Sequence, residues 1–407
     1  MSFDLVTVII RDGEQLSIKS RFVSGFLKLN STDRFLYVFR NEQEKFEEKL
    51  FGNKIGLATS ILDILLFYIG FFFLKSPKDL IDGILRRIYY QKSFSFVRNG
   101  GFITVLSQAL YQYFARSGRS NNFLRFLTKL KSPKIFIIDE FFSLNVIDLK
   151  SLKNLGPIIY VSSDLAYDFY GDNFIASKLM FKFEQNLINI PDLVIACSKR
   201  DEIKYAKLGA NKVVYYPNIY PIKEFELCEK DPIPSISIVL QDHWGSRVER
   251  SLDEIFKALT FVNKKIKVTI IGKKPNNIPN NIELFHYDYI PSKLSYLKIL
   301  SKSWIGINLG VHLGGTNQRK YDYGMAGLVV LSDTFGVRGD LLLNEFGYVD
   351  IPDLAAKLQQ LLELGKEKIS RMGVENRQCT LSLAKKKHQE LQMAIINITH
   401  RDLQKSL

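Results

Sequence analysis

The sequence predicts an α/β protein built from two domains in tandem, each a parallel sheet covered by helices. Three observations carry that prediction. The chain has 407 residues, more than one ordinary core accommodates. Continuous apolar runs of strand length alternate with runs of helical periodicity, the pattern of a parallel sheet covered on both faces. A stretch with three prolines and mixed charge, "PIKEFELCEKDPIP" at 221–234, interrupts this alternation, which then restarts.

In the first half, "FDLVTVII" reads as the first strand, and it lacks the basic flank of a secretion signal. The amphipathic "QLSIKSRFVSGFLKL" reads as a helix and "RFLYVF" as a short strand. After a basic, aromatic section come strands at 134–141 ("KIFIIDEF"), 157–164 ("PIIYVSSD"), 192–198 ("DLVIACS") and 212–218 ("KVVYYPN"). Helices around "ASKLMFKFEQNLINI" and "KRDEIKYAKLG" separate the later strands. In the second half, strands at 235–240, 267–272 and 304–309 alternate with the helices "RSLDEIFKALTFV" and "SKLSYLKILSKS". The strand "LVVLS" and the helix "PDLAAKLQQLLELG" follow. The predicted organisation is an N-terminal domain over 1–222, a linker over 223–234 and a C-terminal domain over 235–382. A closing helix over 383–407 is placed to cross back. Open sheets of this kind bind ligands beyond the carboxyl ends of their strands, so two such edges facing each other would make a cleft.

The formal net charge of +14 predicts an anionic partner: a nucleotide, a nucleic acid or a lipid surface. Three scattered cysteines and five dispersed histidines argue against a metal site or a disulfide framework, and for a reducing compartment. The segment 55–74, "IGLATSILDILLFYIGFFFL", has the length of a membrane span. Asp63 lies near its middle, and its flanks look like parts of one soluble domain. We therefore expect a helix buried in a core or sunk in a bilayer surface. Between Lys75 and Lys134, twelve Lys and Arg stand against two acids, interleaved with aromatics as in "RRIYYQKSFSFVR". The section 55–134 thus reads as membrane-associating, since cations beside an apolar helix suit an anionic surface. An ordinary solvated basic face is the alternative. Nucleic acid is disfavoured because no recognised binding signature is present.

The stretch "GGTNQRKYDYGMAG", 314–327, reads as a loop that becomes a helix and then a strand. Thr316 or Asn317 would cap the helix, and Asp322 falls about one and a half turns in. Glycines ahead of a helix start make a plausible anion site.

In this order and spacing, four stretches resemble the GT-B glycosyltransferases, specifically the retaining glycosyltransferase family 4, also called group 1. They are "EQNLINIPDLVIACSKRDEIKYAKLGANKVVYYPN", "VTIIGKKPNNIPNNIELFHYDY", "GTNQRKYDYGMAGLVVLSD" and "TFGVRG". The resemblance covers 157–365 well and the first 150 residues poorly. It implies two Rossmann-like domains facing each other across a cleft. Two departures are visible. The family's paired glutamates, eight apart, fall here at Asp322 and at Gly314, which has no side chain. Its phosphate-binding lysine falls at Arg250, and its preceding arginine at Gln241 or His243.

By this resemblance, Gly314, Gly315, Thr316 and Asn317 would supply amides and a cap to a donor diphosphate. Arg250, with Arg319 or Lys320, would supply charge. The alternatives are a plain turn at Gly314–Gly315 and a solvated cation at Arg319. Asp322 would bond a donor hydroxyl, or is a helix-surface carboxylate. Asp164, just past a strand's carboxyl end, would touch the acceptor or the reacting sugar, or caps a helix. Glu184 matches an acid that in relatives can position a helix, and His312 is a lesser candidate.

The implied reaction is retaining transfer of a hexose from a nucleotide-diphosphate sugar to a hydroxyl of a glycan, without metal or bound cofactor. The basic apolar section points to a lipid-linked acceptor. It also points to a cytoplasmic protein peripheral on the inner face of the membrane. Three other readings are a non-catalytic scaffold or activator of a membrane glycosylation complex, a nucleic-acid-binding protein, and a sugar-nucleotide epimerase.

Overall fold

The structure, a computed structural model, describes residues 6–11, 34–40, 48–49, 52–57, 109, 120–129, 134–141, 144, 148–162, 165–169, 174–219, 225–240, 245–272, 274–275, 277–309, 318–333, 340 and 342–405. The chain divides into two compact units, Met1–Tyr216 with Gln389–Leu407, and Pro217–His388.

The first unit holds β1 (Val6–Arg11), β2 (Arg34–Arg40), β3 (Glu48–Lys49), β4 (Gly52–Leu57), α1 (Ser120–Lys129) and β5 (Lys134–Asp139). It continues with α2 (Leu149–Lys153), β6 (Ile158–Val161), α3 (Ala166–Phe169), α4 (Phe174–Leu187), β7 (Leu193–Ala196), α5 (Lys199–Lys207) and β8 (Val213–Tyr215). The eight strands form one sheet in the order β3-β4-β2-β1-β5-β6-β7-β8, parallel except for the short β3–β4 pair. Every residue of β5, β6 and β7 is buried, because helices cover both faces. Helix α5 starts where Ser198 Oγ accepts from the Asp201 amide, a conventional N-cap.

The second unit holds β9 (Ser235–Val239), α6 (Gly245–Thr260), β10 (Ile266–Ile271), β11 (Ile282–Tyr287), α7 (Lys293–Ser301), β12 (Ile305–Asn308), α8 (Gln318–Met325), β13 (Val329–Asp333), β14 (Glu345–Tyr348), α9 (Ile351–Glu363) and most of α10 (Gly365–Lys405). Its six strands are all parallel, in the order β11-β10-β9-β12-β13-β14. Counted from β9, this is the 3-2-1-4-5-6 order of a doubly wound dinucleotide-type sheet, which reverses between β9 and β12. Helix α9 buries Leu354, Leu358, Leu361 and Leu362, one stripe at helical spacing against the sheet.

Several expectations change. The apolar segment at 55–74 does not begin as a helix: Ile55, Gly56 and Leu57 belong to β4, paired with β2. A short apolar run fits a buried parallel strand as well as a helix, and pairing decides. Residues 58–108 lie outside the described residues, as does the helix expected at "QLSIKSRFVSGFLKL". Among the described residues no helix is long and apolar enough to cross a membrane. Of the stretch expected as linker, residues 225–234 are described, and they are bound within the second unit. Lys230 Nζ donates to the Ser303 and Gly327 carbonyls at 2.5 and 2.7 Å, and the Trp304 indole donates to the Asp231 carbonyl at 2.9 Å. The last helix begins at Gly365 rather than 383.

Candidate functional site

In a doubly wound sheet the crevice for a ligand opens where the strand order reverses, beyond the carboxyl ends of the two central strands. In the second unit those ends are Val239 of β9 and Asn308–Leu309 after β12. Helix α8 sends two side chains to them. Arg319 donates through Nη1 to the Val239 carbonyl at 2.9 Å and through Nη2 to the Leu309 carbonyl at 3.1 Å. Tyr323, one turn later, accepts at its hydroxyl from the Val239 amide at 2.9 Å and donates to the Ile307 carbonyl at 3.1 Å. The i, i+4 spacing puts both on one face of the helix. Gly306 permits the approach, since a Cβ there would stand 2.5 Å from the Tyr323 ring. Arg319 is only 7% exposed, so it is not a solvated surface cation. Its guanidinium lies at the switch point, and burial lowers its pKa from the usual arginine value.

Asp322, 5% exposed, is held by α7. Lys293 Nζ donates to its Oδ1 at 2.6 Å and the Tyr296 hydroxyl to its Oδ2 at 3.2 Å. Burial pushes the carboxyl pKa up, and Lys293 opposes that shift. The alternative of a helix-surface carboxylate is therefore set aside. Lys293 was not singled out from the sequence, although a signal exists. It is the first residue after the Ser292 cap, where the helix dipole disfavours a cation, a feature that marks the residue as unusual but does not name its partner.

Lys320 requires a correction. Its side chain and that of Glu345 are fully buried and paired at 3.1 Å. Glu345 also accepts from Ser332 Oγ at 2.8 Å and from the Leu342 amide at 3.1 Å. Pointing into the domain, Lys320 serves Glu345 rather than a diphosphate. Arg250, expected as the first residue of its helix, lies in the second turn of α6, which starts at Gly245. Its side chain lies outside the described residues, as do Gly314, Gly315, Thr316, Asn317, His312 and the "TFGVRG" loop.

In the first unit, the sheet order reverses between β1 and β5. Glu140, immediately after β5, has φ 68°, the one non-glycine in the left-handed region among the described residues. Such strain at a strand's carboxyl end is a recurrent mark of function, and the sequence carries no local sign of it. Asp164 lies outside the described residues. Ser162, two positions earlier in the sequence, belongs to a buried network in which its Oγ and the Tyr205 hydroxyl are 2.6 Å apart. The Tyr205 hydroxyl also donates to Glu184 Oε1 at 3.2 Å, and that oxygen accepts from the Ala166 amide at 2.8 Å. Glu184 thus fixes the start of α3. Burial pushes its carboxyl up to about 8. Among the described residues no group of His, Cys, Asp and Glu side chains is placed to hold a metal ion.

No family model and no curated protein matches this sequence. Solved structures do match. Sucrose-phosphate synthase from Thermosynechococcus elongatus gives a TM-score of 0.58 at 13% identity, covering 99% of this chain and 100% of that one. TarM from S. aureus, in complex with UDP and α-GlcNAc-glycerol among others, gives 0.58 at 12%, covering 98% and 99%. HepE from Anabaena, in complex with UDP and glucose, gives 0.54 at 9%, covering 97% and 99%. At these identities the likeness is one of fold. The chain has the α/β fold of two parallel-sheet domains known as GT-B.

Proposed function

We propose that this chain is a glycosyltransferase that moves a hexosyl group from a nucleotide-diphosphate sugar to a hydroxyl of a lipid-linked glycan at a membrane surface, retaining the anomeric configuration. The observation that carries the reading is the pair Arg319 and Tyr323 at the β9–β12 reversal, on a helix that follows the glycine-rich 314–317. That is where a doubly wound sheet takes a diphosphate, and where helix amides and a cation stabilise one as it departs. The likeness to structures solved with UDP and sugars supports it.

In the step itself, the bond from the anomeric carbon to the diphosphate oxygen breaks and a bond to the acceptor oxygen forms. The acceptor proton passes to the released diphosphate or to a carboxylate, for which Asp164 is the candidate. Asp322 would orient a donor hydroxyl, with its own carboxylate fixed by Lys293 and Tyr296. Arg250 would add charge to the diphosphate site. No metal and no bound cofactor enters this scheme, and the cytoplasmic face is the side where nucleotide sugars would meet the chain.

One observation favours a second reading, a non-catalytic scaffold. Both Asp322 oxygens are already engaged, and Gly314 offers no acid eight residues before it. A thermal-shift panel of nucleotide sugars, paired with an assay for released nucleoside diphosphate, decides between them. A true donor at 100 times its Kd stabilises the fold by about 2.7 kcal/mol. Arg250→Ala is expected to abolish that shift while leaving the unliganded melting point nearly unchanged. Binding without release in the presence of glycan acceptors would favour the scaffold, and no shift with any donor would remove the transferase reading.

A further inference from the structure

Helix α4 carries an outward face that the first unit's core does not use. Ala176, Met180, Phe183 and Glu184 point inward and are buried. Outside, Phe174 is 76% exposed, Ile175 51% and Phe181 39%, beside the exposed Lys178 and Lys182. At 3.6 residues per turn, these five side chains fall within an arc of about 120°. The helix has one acid, Glu184, and it is on the buried side. Lys178 Nζ lies 5.9 Å from the Phe174 ring centroid, and Phe181 packs edge-on against Tyr167 at 5.4 Å. Tyr167 in turn lies under Lys204 at 4.9 Å. Two large aromatics and an isoleucine in water, alternating with cations, are costly for a face that meets only solvent.

We propose that this face of α4 docks on a bilayer rich in anionic lipid. It deepens the membrane-surface part of the reading above and rests on it, but it names a surface outside the expected 55–134 section. Phe174, Ile175 and Phe181 enter the headgroup–acyl boundary, while Lys178 and Lys182 pair with phosphate headgroups. The charge pattern selects this occupant. Among the described residues this face of α4 offers no exposed acid, so a second copy seated helix on helix would give the two lysines no ion-pair partner.

The test is co-sedimentation of the full chain with two kinds of vesicle, phosphatidylcholine alone and phosphatidylcholine with phosphatidylglycerol at roughly 7:3. The wild type is expected to bind the mixed vesicles and not the neutral ones, more weakly as salt rises. Lys178→Gln with Lys182→Gln should lower the partition coefficient by about 25-fold, at about 5-fold per cation. Phe174→Ser with Ile175→Ser should lower it by about tenfold or more. Both pairs alter exposed side chains, and their melting points should match the wild type. If both pairs bind the mixed vesicles as the wild type does, α4 is not the docking face, while the membrane reading stands. If the wild type binds no vesicle, the membrane reading falls and α4 docking with it. Lipid-free self-association abolished by Phe174→Ser with Ile175→Ser would make a second copy the occupant and overturn the proposal.

Discussion

Glu184 shows how one buried carboxyl can tie stability to pH. Its folded pKa of about 8 stands above the ordinary value of 4.5, so the native chain holds a proton that the unfolded chain has lost between those values. Stability from this group is complete below about 4.5 and declines as pH rises toward about 8. Glu184→Gln keeps an oxygen for the Ala166 amide and the Tyr205 hydroxyl but carries no titrating proton. Urea melts between pH 5 and 8 should therefore show a flatter stability profile for the variant, with its advantage largest at the alkaline end. An unchanged slope would mean that the carboxyl is ionised in place. Lys320 gives a second residue-level test. Lys320→Met strands the Glu345 carboxylate in the core and should cost about 3–5 kcal/mol. Lys320→Met with Glu345→Leu should recover much of that loss. If the single variant were as stable as the wild type, the pair would not be the buried bridge described. The sequence singled out Arg319, Lys320 and Asp322 together, but not their roles. Those roles depend on Val239, Leu309, Lys293 and Glu345, which only the fold brings near.

At the scale of elements, legibility followed burial. Strands β5, β6, β7 and β12 are covered on both faces and so read as unbroken apolar runs. Strand β11, "IELFHY", lies at the sheet edge and is largely unburied, and Glu283 and His286 break the apolar run that marks the central strands. The first eighteen residues of α10 were also missed, for a different reason. That stretch buries polar groups: Asn376 donates to the Leu328 and Asn344 carbonyls and accepts from the Asn344 amide. Gly373 lies so close to Gly327 that a Cβ would stand 2.0 Å from its carbonyl oxygen. A helix seated by hydrogen bonds and close backbone contact leaves no apolar stripe to read. Its last turns are conventional, placing Leu391, Ala394, Ile395 and Ile398 against Ile9, Ile137 and Ile159 of the first sheet. Leu391→Ala should cost about 2–5 kcal/mol by calorimetry or denaturant melt. A loss below 1 kcal/mol would mean that this end of α10 frays from the sheet.

For the whole molecule, the two units repeat one plan. Each is a parallel sheet whose strand order reverses once, at β1–β5 and at β9–β12. Each reversal carries a feature that the core does not require. In the first unit it is the left-handed Glu140, and in the second the buried guanidinium of Arg319. The plan was legible from the repeated alternation of strands and helices. The site was legible only as a motif, because a strand order cannot be read from spacing. The proposed function rests on the second reversal, with the start of α8, holding a nucleoside diphosphate. Hydrogen–deuterium exchange with and without UDP, or with the nucleotide that the thermal-shift panel selects, tests it most directly. Exchange should slow by about tenfold or more in peptides spanning 309–320 and 239–245. Protection confined to residues 1–216, or binding with no protection at 309–320, would contradict it.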